Sequence, residues 1–462
     1  MSVNTDSPND FIPGAGQPER YPLSSTQELF LTMEKGDTSG GYGSRFVLID
    51  GWRIAGPVDQ HALQGALDDV VERHKILRTV VVRDAEPPYQ EVRPARPVSL
   101  TVVALPDGDA QARDEVVEDF LAEAAARTFD VNDLPLLRAS LGVFDTEDSV
   151  LVLETQHSAT DAWSMQLIMR DLTECYARRS GRLREPLPPP APQYAEFARW
   201  ERTWFDSPAA ERARAYWREN LRGARIMALP TDHPVGERPD RPYSEYNFMI
   251  GPDVAGAAAA LATSTRSTLF MVLATAFSIQ VCRASRIREL TLEAITSGRS
   301  HRQFQNTIGP FLSILPIRVD YTGCRTFRDA LACTKASLIG AYRHELPFTS
   351  IVQEEPALMD SLTEPYASPF AFGMVQPEVL KPALEIADGM SEVRRRVRSY
   401  EVTSDIPNGV LWTADLLPSG ELITAVIFNL DHFDKSSITQ RAADYRTVLS
   451  ALVSAPDQDW SK

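Results

Sequence analysis

His157 and Asp161 lie four residues apart in the polar hexapeptide QHSATD, residues 156–161. An imidazole titrates near neutrality, so it can give or take a proton as a general acid or base. The carboxylate at this spacing can cap the helix that follows. The flanking residues say what positions the pair. Residues 150–155 form a β-rich apolar run of buried-strand length, and beyond the hexapeptide Met165, Ile168, Met169, Leu172, Cys175 and Tyr176 recur at the three- and four-residue spacing of an amphipathic helix. His157 therefore stands at a strand-to-helix corner, where Ser158, Thr160 or Asp161 can cap the helix that follows.

The bulk properties narrow the setting. A chain of 462 residues exceeds one ordinary core and points to two domains. With 47 basic against 63 acidic side chains the formal charge is −16, which gives the chain as a whole no electrostatic reason to seek nucleic acid or an anionic membrane. Residues 1–20 lack the basic flank and apolar run of a signal peptide and read as a disordered lead-in, so a cytoplasmic location is expected. The longest clearly apolar stretch, residues 269–282, falls short of the ~20 residues of a membrane span and reads as a buried helix. Cys175, Cys282, Cys324 and Cys333 lack the paired close spacing of a zinc site and are expected to be reduced core thiols.

In chain order, residues 21–34 form a helix capped by Ser24 or Ser25, residues 46–49 a short strand, and residues 58–74 an amphipathic helix ending in basic residues. Strands are expected at 77–82 and from Val92 onward, and a helix at 110–126. Residues 184–192 (REPLPPPAP) hold five prolines and read as a linker between domains, 21–183 before it and 193–462 after it. The second half repeats the mixture: helix from Tyr194 to Gly223, helices at 327–342 and 437–453, and strands at 290–295, 370–375, 409–416 and 423–428. Strands and helices mixed without regular βαβ alternation indicate an α+β sandwich rather than a doubly wound sheet.

The corner and its flanks resemble the His-His-x-x-x-Asp-Gly signature of nonribosomal-peptide condensation domains, of the chloramphenicol-acetyltransferase-like superfamily. Further signatures of that family occur in order. Ser24-Ser25-Thr26-Gln27 resembles the first, and Arg73-His74-Lys75-Ile76-Leu77-Arg78-Thr79 the second. The stretch from Tyr194 to Trp200 resembles the fourth, Ile308-Gly309-Pro310-Phe311-Leu312 the fifth, and His344-Glu345-Leu346-Pro347-Phe348 the sixth.

The resemblance implies two acetyltransferase-like α/β sandwich lobes in a V-shaped pseudo-dimer, with a tunnel between them. It implies His157 as the catalytic residue and Asp161 as a structural one, paired with Arg299 after the strand at 290–295. It implies no intrinsic cofactor or metal. The donor arrives as a thioester on the phosphopantetheine arm of an acyl or peptidyl carrier protein, and a small-molecule or carrier-bound amine or alcohol attacks it. A monomer is expected.

The sequence departs from the signatures at several places. Gln156 stands where the first histidine belongs, and Ala162 where the glycine belongs, which adds a methyl beside the tunnel. Ser313-Ile314 replaces asparagine-threonine in the fifth signature, and the seventh survives only weakly around Ser368-Pro369-Phe370. Ala162, Trp163 and Ser313 are assigned to the substrate tunnel, although Trp163 also reads as packing. Arg394-Arg395-Arg396 with Arg398 offers an alternative pair of readings, a solvated face or a dock for an acidic carrier. Neither a carrier signature nor a nucleotide loop is evident, so a free-standing condensation enzyme is expected. Its rivals are an O-acyltransferase using a coenzyme A thioester and a catalytically silent module that recruits a carrier.

Overall fold

The computed structural model describes residues 19–33, 40–235, 243–375, 384–393, 400–402, 409–417 and 419–461. Two sheets organise them. The first has five strands in the order Gly389–Val393, Val47–Ala55, Asp148–Gln156, Leu137–Val143, Ser99–Ala104, antiparallel except for the last pair. Its central strand, Asp148–Gln156, is covered on both faces, which explains a continuous apolar run in place of alternation. Leu151 and Leu153 pack with Leu63 and Leu67 of helix Gln60–Arg73 and with Ile168, Met169 and Leu172 of helix Ala162–Arg179. Val150 and Val152 point the other way, against Val117, Phe120 and Leu121 of helix Ala110–Ala125.

The second sheet has seven strands in the order Ser313–Asp320, Glu289–Thr296, Phe370–Val375, Val410–Leu416, Leu422–Asn429, Tyr243–Ile250, Tyr400–Val402. Helix Leu269–Ser285 lies against it, buried without a break from Met271 to Cys282, with Phe277 packed on Phe370, Phe372 and Trp412. No single described helix is long and apolar enough to cross a membrane, and the bent pair Pro252–Ser264 and Leu269–Ser285 that matches in composition contributes many buried residues to this core. The four cysteine thiols are free.

Each half of the chain builds part of the other's surroundings. Strand Gly389–Val393 comes from the second half and pairs with Val47–Ala55 at the edge of the first sheet. Helix Tyr194–Trp204 follows the proline-rich segment and packs Tyr194 and Phe197 into the first core, together with Phe304, Ile308 and Phe311 from the second half. These exchanges fix the lobes against one another.

Some expectations change in detail. Residues 1–18 and the arginine run at 394–398 lie outside the described residues, but Glu19 and Arg20, assigned to the lead-in, begin strand Glu19–Pro22 beside Tyr89–Val92. The strand expected from Val92 onward ends there, because Pro94 and Pro97 follow. Residues 75–78 form a short 3-10 turn ahead of strand Thr79–Val82. Strand Ser313–Asp320 escapes a propensity reading because it contains Pro316, which is tolerated on the edge of the sheet.

Gly309 shows how tight the junction is. A Cβ built there falls 2.0 Å from Cδ2 of Tyr194. Gly309→Ala should therefore displace the ring and lower stability by ~1–3 kcal/mol, the usual cost of overpacking, as read by urea denaturation.

Candidate active site

The corner is held by its own backbone and by Gln156. Strand Asp148–Gln156 ends where the Gln156 carboxamide turns inward, its Nε2 donating to the Gly43 carbonyl at 2.8 Å and its Oε1 accepting from the Ser158 N–H at 2.6 Å. The Ala159 N–H donates back to the Gln156 carbonyl, and the Thr155 and Thr160 hydroxyls meet at 2.6 Å. These contacts fix the imidazole between them.

His157 is half-buried, with its ring stacked on Phe46 at 4.3 Å between centroids and met edge-on by Phe30 at 6.0 Å. Its Nδ1 lies 2.7 Å from the Thr160 carbonyl oxygen. A carbonyl can only accept, so Nδ1 carries the hydrogen and Nε2 keeps its lone pair. Burial lowers the pKa of the ring, outweighing the opposing pull of the backbone hydrogen bonds and the Asp161 charge. The ring is thus neutral at physiological pH, with Nε2 free to accept a hydrogen bond.

Asp161 binds three separate elements. Its Oδ1 accepts from the Ser164 N–H at 2.7 Å, which caps helix Ala162–Arg179, and its Oδ2 accepts from the Phe311 N–H at 3.0 Å. Arg299 Nη2 reaches both oxygens, at 3.1 and 3.3 Å. The same guanidinium donates to Ser164 Oγ and to the carbonyls of Phe304 and Thr307, and it lies 4.1 Å from the centre of the Phe311 ring. Burial pushes the Arg299 pKa down and Asp161 opposes it. The segment carrying Arg299 turns at Gly298, where φ is +61° and a Cβ would sit 1.8 Å from the Phe311 carbonyl oxygen. Only glycine fits that turn.

Between the lobes is a cavity of 1090 Å³. The first lobe contributes Phe46, Leu48, His157, Ala162, Trp163 and Gln166, and the second contributes Glu293, Ile295, Leu312, Phe370, Leu411 and Thr413. The sequence-derived site residues divide accordingly. His157, Asp161, Arg299, Ala162 and Trp163 all border the cavity, Ala162 with its methyl exposed to it. Trp163 is also tethered, its Nε1 donating to the Gln305 carbonyl at 3.0 Å. Gln156 is fully buried behind the corner, and Ser313 stands half-buried between two lining residues, Leu312 and Ile314, without lining the cavity itself. Residues not assigned to the site from sequence join the wall: Phe30 and Phe46 around the imidazole, and Glu293 and Glu345. An acidic residue inside the apolar run LTLEAI was the one legible sign of Glu293.

Comparison with known proteins agrees with this architecture. The family model of the condensation domain matches residues 17–462, and the chain belongs to that family. Chondramide synthase cmdD of Chondromyces crocatus is 30% identical over 439 residues, and tyrocidine synthase 3 of Brevibacillus parabrevis is 27% identical over 464. The matches span 94% and 98% of this chain but only 11% and 7% of those relatives. Among solved structures, the SgcC5 protein from Streptomyces globisporus, in complex with (R)-(-)-1-(2-naphthyl)-1,2-ethanediol and sucrose, is 35% identical with a TM-score of 0.89, covering 95% of this chain and all of that one. The X-domain from teicoplanin biosynthesis shares the fold at 23% identity and a TM-score of 0.74, over 97% of this chain and 98% of that one. The fold is the two-lobed, chloramphenicol-acetyltransferase-like arrangement of condensation domains, which act with the phosphopantetheine of carrier proteins.

The Asp161–Arg299 contact generates a stability test. Removing either member leaves a buried charge uncompensated, so Asp161→Ala and Arg299→Ala should each cost ~3–5 kcal/mol in denaturant melts. The double variant should cost less than the sum, since the second loss removes an already orphaned charge. Strict additivity in that cycle would refute the coupling.

Proposed function

We propose that this chain is a free-standing condensation enzyme of natural-product biosynthesis, transferring an acyl group from a carrier-bound phosphopantetheine thioester to an amine or alcohol and so forming an amide or ester. The observation that carries this reading is a neutral imidazole, its Nε2 unprotonated, on a residue that lines a cavity walled by both lobes. The thioester supplies the leaving group. His157 accepts a hydrogen bond from the nucleophile and takes its proton as the carbonyl becomes tetrahedral, while Phe46, Phe30 and the Thr160 carbonyl hold the ring in place. An alcohol needs this help more than a free amine does. The relative with a bound aryl ethanediol supports a hydroxyl-bearing acceptor.

Membership of the condensation-domain family supports a carrier-bound donor over a coenzyme A thioester. Turnover of a loaded carrier in parallel with free thioesters, followed by intact mass spectrometry, decides between them. Faster turnover of the coenzyme A thioester would overturn the assignment.

His157→Ala should lower kcat/KM by roughly 10²–10⁴-fold with melting temperature and carrier binding unchanged. Product formation that survives the substitution would sink the assignment. The pH profile gives a second check. Because burial depresses the imidazole, activity should stay level across neutrality and fall only as pH drops below the ordinary histidine range of about 6.5, where Nε2 becomes protonated. A loss beginning at higher pH would contradict this geometry.

A further inference from the structure

Glu293 is a carboxylic acid in the wall of the cavity with nothing to bind among the described residues. It lies in strand Glu289–Thr296, whose Leu290, Leu292 and Ala294 face the core of the second lobe, while Glu293 and Ile295 face the cavity. The residue is 6% exposed, and among the described residues no hydrogen-bond donor or cation reaches its carboxyl. Its cavity neighbours along the sheet are Ile295, Ala371, Leu411 and Thr413. Burial alone drives its pKa up to about 8.

Glu345, the other carboxyl of the cavity apart from Asp161, is provided for. It accepts from the Thr296 hydroxyl at 3.1 Å and from Ser300. Among the described lining residues the one guanidinium, Arg299, is committed to Asp161 and to backbone carbonyls. The wall therefore carries an excess of acid with no free cation among its described lining residues. No group of metal ligands exists among the described residues to use that excess. Burying a polar group without a hydrogen bond costs stability, and a partner that arrives with the ligand would recover that cost.

We infer that Glu293 is a specificity-determining residue that receives a protonated amine of the substrate, a group separate from the attacking nucleophile. This rests on the acyl-transfer reading above and narrows it to substrates that carry a basic nitrogen. An arriving ammonium stabilises the ionised form of Glu293, whose proton leaves to solvent as the pair forms. An ammonium held by a carboxylate has no lone pair to attack with, so the nitrogen at Glu293 is recognised while the nucleophile at His157 reacts. In an apolar cavity such a pair is worth more than in water, and an analogue lacking the nitrogen leaves the acid stranded.

Binding tests this without requiring turnover. Isothermal titration at neutral pH compares 3-phenylpropylamine with the uncharged 3-phenylpropan-1-ol. The unmodified protein should prefer the amine by ~10-fold or more, and Glu293→Gln should abolish the preference. A glutamine retains donor and acceptor atoms, so a neutral hydrogen-bonding role would survive the change and overturn the proposal. Equal binding of both probes by the unmodified protein would overturn it too. Glu293→Gln should melt no lower than the parent chain, and a lower melting point would reveal a structural partner and refute the inference.

Kinetic arms then locate the amine. Phenylalanyl against 3-phenylpropanoyl thioesters place it on the donor, and 2-amino-1-phenylethanol against 1-phenylethanol place it on the acceptor. The pair whose discrimination is lost in Glu293→Gln identifies the side. Absence of turnover with every pair would count against the acyl-transfer reading, while the binding preference would still decide the role of Glu293.

Discussion

The contact between Asp161 and Arg299 is the constraint on which the site depends, because it joins two lobes at the atom that also starts the helix behind the histidine. Asp161 caps helix Ala162–Arg179 in one lobe, and its other oxygen receives the Phe311 N–H and the guanidinium from the other. A surface ion pair in the same place would contribute little. Buried, and bound on every side, the pair makes the separation of the lobes a fixed quantity rather than a soft one. The distance from His157 to the opposite wall follows from that separation.

The histidine itself is governed by more local physics. Its tautomer is set by a carbonyl three residues on, its plane by the stacked Phe46, and its charge state by burial. The tautomer and the plane are set within the first lobe. The first lobe therefore makes a defined proton acceptor, and the second decides what can be brought to it. That division suits the proposed acyl transfer, in which a thioester needs little activation and much of the rate comes from holding the reactants in register.

How much of this was legible in the sequence follows the same division. The corner was readable because a covered strand leaves a continuous apolar run and a capped helix leaves a polar residue ahead of its stripe, both within a few residues of His157. Arg299 lies 138 residues from Asp161, and no spacing rule connects them; it was reached through resemblance to a family. Ser313 shows the limit of that route. Successive strand residues point to opposite sides, so with Ile314 on the cavity wall its neighbour faces away. The aromatic pair around the imidazole was invisible for a similar reason, since Phe30 and Phe46 meet His157 only across the packed interface between segments. Glu293 left a trace, an acid in an apolar strand, but its lack of a partner is a fact about surroundings that a linear reading does not contain.

The two departures at the corner differ in consequence. Gln156 occupies the place of a signature histidine, yet it borders no part of the cavity; its carboxamide spends its nitrogen on the Gly43 carbonyl and its oxygen on the Ser158 N–H. Both contacts are to backbone and both shape the turn that presents His157. A carboxamide, with a donor and an acceptor on one planar group, fills those two positions at once. The change is therefore a different way of building the same corner, and it carries no argument for lost catalysis. Ala162 is the opposite case. It makes no polar contact through its side chain, but its methyl is exposed on the cavity wall beside Asp161 and Trp163, where a glycine would leave open space. Of the two substitutions, the one that looks conservative is the one that alters the cavity wall.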